Sequence, residues 1–162
     1  MRILLNSQLA LLVAACTLFA VACNEAPKVT PAPSSEVIEE THTDGTPKVT
    51  KEYQGSELKG QTEYYESGSK KLAGTLNPAG KREGKWEFWF KTGLINSVYH
   101  YKNGDRHGLC TVYYDNGFKR FEGTFRNDKR VEMWYFWTEE GKVDIKIDYG
   151  DGNGTPKEYK MD

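Results

Sequence analysis

The sequence predicts an all-β protein, an extended antiparallel meander of stacked β-hairpins preceded by a disordered tether. Three observations predict it. Aromatic residues make up 13% of the 162 residues, and 20 of the 21 lie between Tyr53 and Tyr159. All 16 glycines follow residue 44. The same residue types also recur about every 24 residues. Strand-forming aromatics separated by turn-forming glycines indicate short strands joined by tight turns.

The net charge and the length of the chain limit the classes of function that the sequence supports. Lys and Arg number 22 against 23 Asp and Glu, so the net charge is −1. Such a balance supplies no overall positive field for nucleic acid, and we expect no nucleic-acid partner. The length suits one domain, and no cofactor is indicated.

The N-terminus has the outline of a signal peptide, which we place at residues 1–22. Arg2 precedes an apolar run that is nearly unbroken from Leu9 to Ala22. This run of about 14 residues is shorter than the roughly 20 that a membrane-spanning helix needs. The segment therefore predicts export rather than a protein anchor.

The end of this run, Ala20-Val21-Ala22-Cys23, resembles the lipobox of bacterial lipoproteins. The resemblance implies that Cys23 is acylated, with chains such as palmitate, and becomes the first residue of the mature chain. Cys16 follows a similar segment, and an ordinary cleavage after Ala22 would leave Cys23 as a free thiol. With Cys23 acylated we expect a lipid anchor in the bacterial cell envelope, at the outer membrane or cell surface. Cys110 is then unpaired and is predicted to be a small buried hydrophobe.

Residues 23–47 are predicted to be a lipidated, disordered tether, because they contain no aromatic residue and four of the six prolines. Residues 48–162 are predicted to form the β-repeat domain, with the clearest repeats at 60–150.

The repeat is carried by several aligned series. Turn glycines recur at one position and strand aromatics at others. The series are Gly68, Gly93, Gly117, Gly141; Gly60, Gly84, Gly108, Glu132; Gly80, Gly104, Asp128; Trp86, Cys110, Trp134; Trp89, Tyr113, Trp137; and Leu76, Tyr101, Phe125, Tyr149. Alternating aromatics indicate strands, and Asn-Gly pairs indicate hairpin turns. Gly74 and Gly123 fall inside predicted strands, which indicates a bulge or a close backbone approach.

The segment Tyr113–Phe125 (YYDNGFKRFEGTF), with Arg106-His107-Gly108 before it, resembles the MORN-repeat variant common in bacterial proteins. The resemblance covers about residues 60 to 150. It implies hairpins stacked into one extended sheet with a groove, and many bacterial members are described as antitoxin-like. Glu132 departs from the pattern, because it stands where the other copies have Gly.

Catalytic and metal-binding signals are weak. His100 and His107 have no Ser or Cys in a recognisable nucleophile motif, and His107 with Cys110 supplies only half a zinc site. The Asp151–Gly154 loop lacks the pattern of a calcium loop. We expect a protein that is not an enzyme, with a hydrolase using unrecognised carboxylates as an alternative.

Two surfaces are candidates for binding. Basic turns recur with the repeat and predict a basic edge containing Arg82, Arg106 and Arg130, which is either a solvated edge or an anion-binding one. Strand alternation places Trp86, Phe88, Phe90, Trp134 and Phe136 on one face. It places Trp89, Tyr113, Tyr135 and Trp137 on the other, where exposed rings would form a recognition surface and stacked rings a structural one.

These observations together predict a non-catalytic envelope lipoprotein whose aromatic sheet is a scaffold for a protein or polysaccharide. An antitoxin-like or immunity-like protein is the alternative that the MORN resemblance implies.

Overall fold

The computed structural model describes residues 32–161. The predicted signal peptide, the lipidation site Cys23 and the first part of the predicted tether lie outside the described residues. No helix long and apolar enough to cross a membrane occurs within residues 32–161.

The described chain forms one antiparallel sheet of eleven strands, in which every strand pairs with its neighbours in sequence. The predicted all-β meander is thereby confirmed. The strands are β1 (Ser34–Thr41), β2 (Pro47–Gln54), β3 (Glu57–Tyr64), β4 (Lys70–Leu76), β5 (Arg82–Trp89), β6 (Ile95–Lys102), β7 (Asp105–Tyr113), β8 (Lys119–Arg126), β9 (Lys129–Trp137), β10 (Val143–Asp148) and β11 (Lys157–Lys160).

The sheet begins earlier than the sequence predicted. Strand β1 lies inside the segment assigned to the tether, and β2 starts at Pro47. The side chains of β1 are all exposed, so the strand is held by its backbone pairing with β2 rather than by apolar burial. The interpretation of residues 34–47 as tether was wrong, because an exposed edge strand carries no hydrophobic pattern by which to recognise it.

The predicted hairpin positions are confirmed by the turn geometry. Gly68, Gly93, Gly117 and Gly141 all have positive φ, between 78° and 88°. Each donates its N–H to the carbonyl three residues earlier, at 2.9–3.1 Å. These four turns lie at one end of the strands, because each connects an odd-numbered strand to the next even-numbered one.

The turns at the opposite end carry the third predicted series, and the second series lies inside the odd-numbered strands that follow these turns. Gly80, Gly104 and Asp128 have φ of 73°, 98° and 64°. Glu132 has φ of 62°, close to the 64° of Gly84, so the fourth copy keeps the left-handed backbone without the glycine. The departure that the sequence shows at Glu132 therefore changes the residue and not the local conformation.

Strand alternation divides the sheet into two faces. The first face carries Trp86, Phe88, Trp134 and Phe136, and the second face carries Trp89, Tyr113, Tyr135 and Trp137. Phe90 lies just beyond the end of β5. No second layer of structure within residues 32–161 covers either face, so the core consists of side chains packed on one another along the sheet.

Candidate binding surface

The first face holds the aromatic core. Trp86 is 1% exposed and Trp134 is 0% exposed. The Phe125 and Trp134 rings meet edge to face with centroids 5.0 Å apart, and Tyr99 and Phe125 lie 6.2 Å apart. Such contacts between rings stabilise a sheet that has no covering layer. The first face is therefore structural.

Gly74 and Gly123 make this packing possible. Each lies beneath the indole of the tryptophan that faces it on the next strand, so that a Cβ on Gly74 would overlap Trp86 and a Cβ on Gly123 would overlap Trp134. The close backbone approach predicted for both glycines is confirmed.

The three arginines of the predicted basic edge occupy the first or second position of the equivalent strands β5, β7 and β9, and they reach onto the first face. The guanidinium carbon of Arg82 lies 4.4 Å from the centroid of the Trp86 ring. That of Arg106 lies 4.2 Å from Phe125, and that of Arg130 lies 4.5 Å from Trp134. These are cation–π distances, each contributing about 0.5–1 kcal/mol where the pair is exposed.

Hydrogen bonds fix the arginines in place. Arg82 donates to the Tyr101 hydroxyl at 3.2 Å, and Arg130 donates to the Tyr149 hydroxyl at 2.9 Å. Arg106 donates through Nε to Asp128 Oδ1 at 2.7 Å. This bond, with a second from the Arg106 backbone N–H, lowers the pKa of the Asp128 carboxyl. The arginines stack over the core rings, so their first role is to support the fold.

Cys110 lies in the same core, in contact with Phe125 and Trp134, and is 1% exposed. Burial raises the pKa of the thiol to about 11. This burial confirms the sequence prediction of a small buried hydrophobe. A buried and protonated thiol is also a poor nucleophile.

The second face presents a different arrangement, a row of half-buried aromatic rings. Trp89, Tyr113 and Trp137 occupy the last position of β5, β7 and β9, as the repeat predicts. Tyr64 occupies the same position in β3. The sequence reasoning missed Tyr64, although its spacing of 25 residues from Trp89 equals that of Gly68 from Gly93. We call these four side chains the aromatic row.

The even-numbered strands place one residue beside each ring of the aromatic row, three of them between two rings and the fourth beyond Trp137. Lys70 pairs with Tyr64, Ile95 pairs with Trp89, Lys119 pairs with Tyr113, and Val143 pairs with Trp137. On each even-numbered strand one extra residue follows the paired one and forms a bulge, so the pairing opposite the ring is shifted by one residue. The extra residues are Lys71, Asn96, Arg120 and Asp144. The surface therefore alternates between aromatic rings and either a lysine or a β-branched residue.

Contacts within the second face support the row. The Lys70 ammonium lies 6.0 Å from the Trp89 ring centroid, and that of Lys119 lies 5.5 Å from the Trp137 centroid. Tyr65 and Tyr114 donate their hydroxyls to the carbonyls of Trp89 and Trp137, both at 2.8 Å. The backbone that carries the two indoles is therefore held at the end of each strand.

Tyr135, the fourth predicted member of the binding surface, lies on the second face two residues before Trp137 in β9. Its ring centroid lies 6.0 Å from that of Trp137. Lys146 lies 5.6 Å from the Tyr135 ring on the other side. The structure thus brings Tyr135 and Trp137 together, whereas Trp89 and Tyr113 lie on separate strands of the same row.

A cleft of about 640 Å³ adjoins the row near Tyr64 and Lys70. Its floor is formed by small residues of β2, β3 and β4, namely Thr50, Thr62 and Ala73. Ligand clefts are commonly of this volume, although apolar linings are more typical of them.

Both histidines of the repeat region make hydrogen bonds within the sheet. His100 Nδ1 lies 2.8 Å from the Leu109 carbonyl oxygen, and His107 Nδ1 lies 3.1 Å from Asn127 Oδ1, so both imidazoles bond to turn or strand groups. No cluster of three metal-ligating side chains occurs in this part of the chain.

Fold and surface together define an all-β repeat protein with aromatic rings on both faces, of which only the first face contains fully buried tryptophans. No protein-family model matches the chain. No curated protein matches it either.

Proposed function

We propose that the protein is a non-catalytic cell-envelope lipoprotein whose second face binds a protein or polysaccharide partner. The aromatic row carries the proposal. The two tryptophans of the first face, Trp86 and Trp134, are buried beneath neighbouring rings. The rings of the row instead remain partly exposed at equivalent positions on four strands.

Tyr and Trp are suited to such a surface. They supply large contact areas with few rotatable bonds, and they are enriched where binding energy concentrates in interfaces. The bonds from Tyr65 and Tyr114 fix the backbone beneath the two indoles, which limits the ordering cost of binding.

The proposed localisation in the cell envelope rests on the sequence alone. Cys23 follows a lipobox-like segment, and several acyl chains on one cysteine would hold a protein firmly to a membrane. Metabolic labelling with a palmitate analogue tests this step. We expect labelling of the full chain and its loss in Cys23→Ala, with Cys16→Ala as the matched control that keeps the label.

Binding is tested by tryptophan fluorescence on the full chain in detergent micelles. The four tryptophans fall into two pairs, because Trp86 and Trp134 are buried on the first face and Trp89 and Trp137 lie half-buried on the second. Envelope proteins and envelope polysaccharides are titrated separately. A ligand is expected to change the emission of the wild type. Isothermal titration calorimetry, which does not depend on the removed rings, is expected to show no binding of that ligand to the double variant Trp89→Ala/Trp137→Ala.

Phe118→Ala is the matched control, since Phe118 is 51% exposed but lies outside the row. Circular dichroism establishes that each variant is folded. An envelope ligand that binds the double variant as tightly as the wild type would contradict the proposal, as would complete shielding of all four tryptophans from acrylamide.

A further inference from the structure

We infer that the aromatic row binds a proline-rich, acidic segment of a partner protein in the polyproline II conformation. The inference rests on the proposed function and names the class of ligand for the same face. Three features of the row carry it: its spacing, the position of its lysines and the apolar residues between its rings.

The spacing matches the repeat of a polyproline II helix. Rings on alternate strands are separated by two strand spacings, about 9.6 Å. A polyproline II helix has three residues per turn at 3.1 Å each, so its turns repeat about every 9.3 Å. One residue per turn of such a ligand can therefore face each ring in succession, and the row from Tyr64 to Trp137 spans about three turns.

The lysines define the charge of the ligand. Lys70 in β4 and Lys119 in β8 are four strand spacings apart, about 19 Å. Two polyproline II turns cover about the same distance, so acidic residues six positions apart in the ligand would meet both ammonium groups. No carboxylate of residues 32–161 lies within ion-pairing distance of Lys70, whereas Lys119 bonds to Glu122 at 2.7 Å. Lys70 is accordingly the stronger contact.

The remaining two positions favour a peptide over a polysaccharide. Ile95 lies between Trp89 and Tyr113, and Val143 lies beside Trp137 at the end of the row. Neither side chain offers hydrogen-bonding groups to sugar hydroxyls, but both can pack against proline rings. Recognition of proline-rich segments characteristically uses aromatic-lined grooves and exploits the low conformational entropy of the ligand. The row has both the rings and the apolar spacers that this mode requires.

The test uses a synthetic peptide made of four Asp-Pro-Pro repeats, titrated into the full chain in detergent micelles and followed by isothermal titration calorimetry, which also reports binding in variants that lack Trp89 and Trp137. Its twelve residues extend about 37 Å, enough to cover the row. We expect binding that weakens at least tenfold in Trp89→Ala/Trp137→Ala and several-fold in Lys70→Gln. Binding to wild type is also expected to weaken as ionic strength rises.

Three controls make the test specific. A Lys-Pro-Pro peptide of the same length tests charge, an Asp-Gly-Gly peptide tests conformation, and an oligogalacturonate tests the polysaccharide alternative. Phe118→Ala is expected to bind like the wild type. Should the double variant lose its fold, Tyr64→Ala and Lys70→Gln replace it, since these change one ring or one charge near the end of the row.

Equal binding of the acidic and basic peptides, unchanged binding in Lys70→Gln, or binding of the oligogalacturonate alone would overturn the inference. The last result would leave the proposed function intact and assign the row to sugars. If no probe binds but an envelope protein still requires Trp89 and Trp137, the ligand class is wrong and the scaffold function stands. If nothing requires these residues, both proposals fail.

Discussion

The indole of Trp134 lies directly on the backbone of Gly123, on the neighbouring strand, where any side chain would occupy the space of the ring. The indole N–H also donates to the Val131 carbonyl at 3.1 Å, which satisfies the one polar group of the ring. Trp86 and Gly74 repeat the relationship 48 or 49 residues earlier, and Trp86 donates to the Thr75 carbonyl at 2.9 Å. The glycine on one strand and the tryptophan on the next therefore form one packing unit.

Gly123→Ala is expected to destabilise the fold by about 1–3 kcal/mol, the usual cost of overpacking a core. The added methyl group would collide with a ring that has no free space into which to move. Urea unfolding measures the effect. Gly154→Ala is the matched control, because nothing lies within 4 Å of a Cβ at Gly154, and it is expected to be nearly neutral. Equal stability of the two variants would contradict the packing described for Trp134.

Glu132→Gly is expected to stabilise the protein. Glu132 has φ of 62°, and the left-handed conformation costs a residue with a Cβ roughly 1 kcal/mol relative to glycine. The only described ion pair of Glu132 is exposed, at 3.6 Å to Arg126, and contributes little. We expect a gain of up to about 1 kcal/mol by urea unfolding. Glu132→Ala keeps the strained backbone and should show no such gain; a similar rise in both variants would assign the effect to charge.

Stability is expected to fall at alkaline pH because Cys110 is buried. Its pKa is raised from 9.0 in the unfolded chain to about 11 in the folded one. The stabilising contribution is complete below pH 9 and is lost as the pH rises toward 11, about 2–3 kcal/mol in all. Burial raises the pKa of Tyr99 as well, and it adds to the loss above pH 10.

The measurement is urea unfolding across this pH range. Cys110→Ala should show a shallower loss than the wild type, since only the Tyr99 contribution remains. In the native protein the thiol should also resist a disulfide reagent until the chain unfolds. Rapid labelling under native conditions would contradict the burial of Cys110.

Arg106→Gln is expected to raise the pKa of Asp128 toward its ordinary value. The side-chain and backbone hydrogen bonds from Arg106 stabilise the ionised carboxylate in the folded protein. The favourable contribution is therefore present above pH 4 and lost as the pH falls through the lowered pKa, and its size is small because Asp128 is exposed. Titration of the Asp128 carboxyl by NMR measures the change. Lys129→Gln is the control, and an equal shift in that variant would point to general charge effects.

Much of the fold could be predicted from the sequence. The glycine series located the hairpin turns, because a backbone with positive φ selects glycine at the same step of each repeat. The period-two aromatics located the strands and the two faces. The edge strand β1 escaped prediction, since its exposed side chains follow no burial pattern.

The candidate surface was predictable only in part. Trp89, Tyr113 and Trp137 follow the repeat, and Tyr64 would have completed the row had the first, 25-residue interval been applied to it. The lysine and β-branched residues between the rings could not be placed. Their positions depend on strand pairing and on the bulges at Lys71, Asn96, Arg120 and Asp144, which single residues do not reveal.

The sequence by itself determined the repeat, the strand class and the chemistry of each face, because hydrophobic periodicity and glycine conformation are local properties. Only the tertiary structure decided which residues meet across strands. It stacked Arg82, Arg106 and Arg130, predicted to form a basic edge, on rings of the core. It also placed Lys70 and Lys119 beside the half-buried indoles of Trp89 and Trp137. Both outcomes depend on register, which is set by pairing between strands and not by any one strand alone.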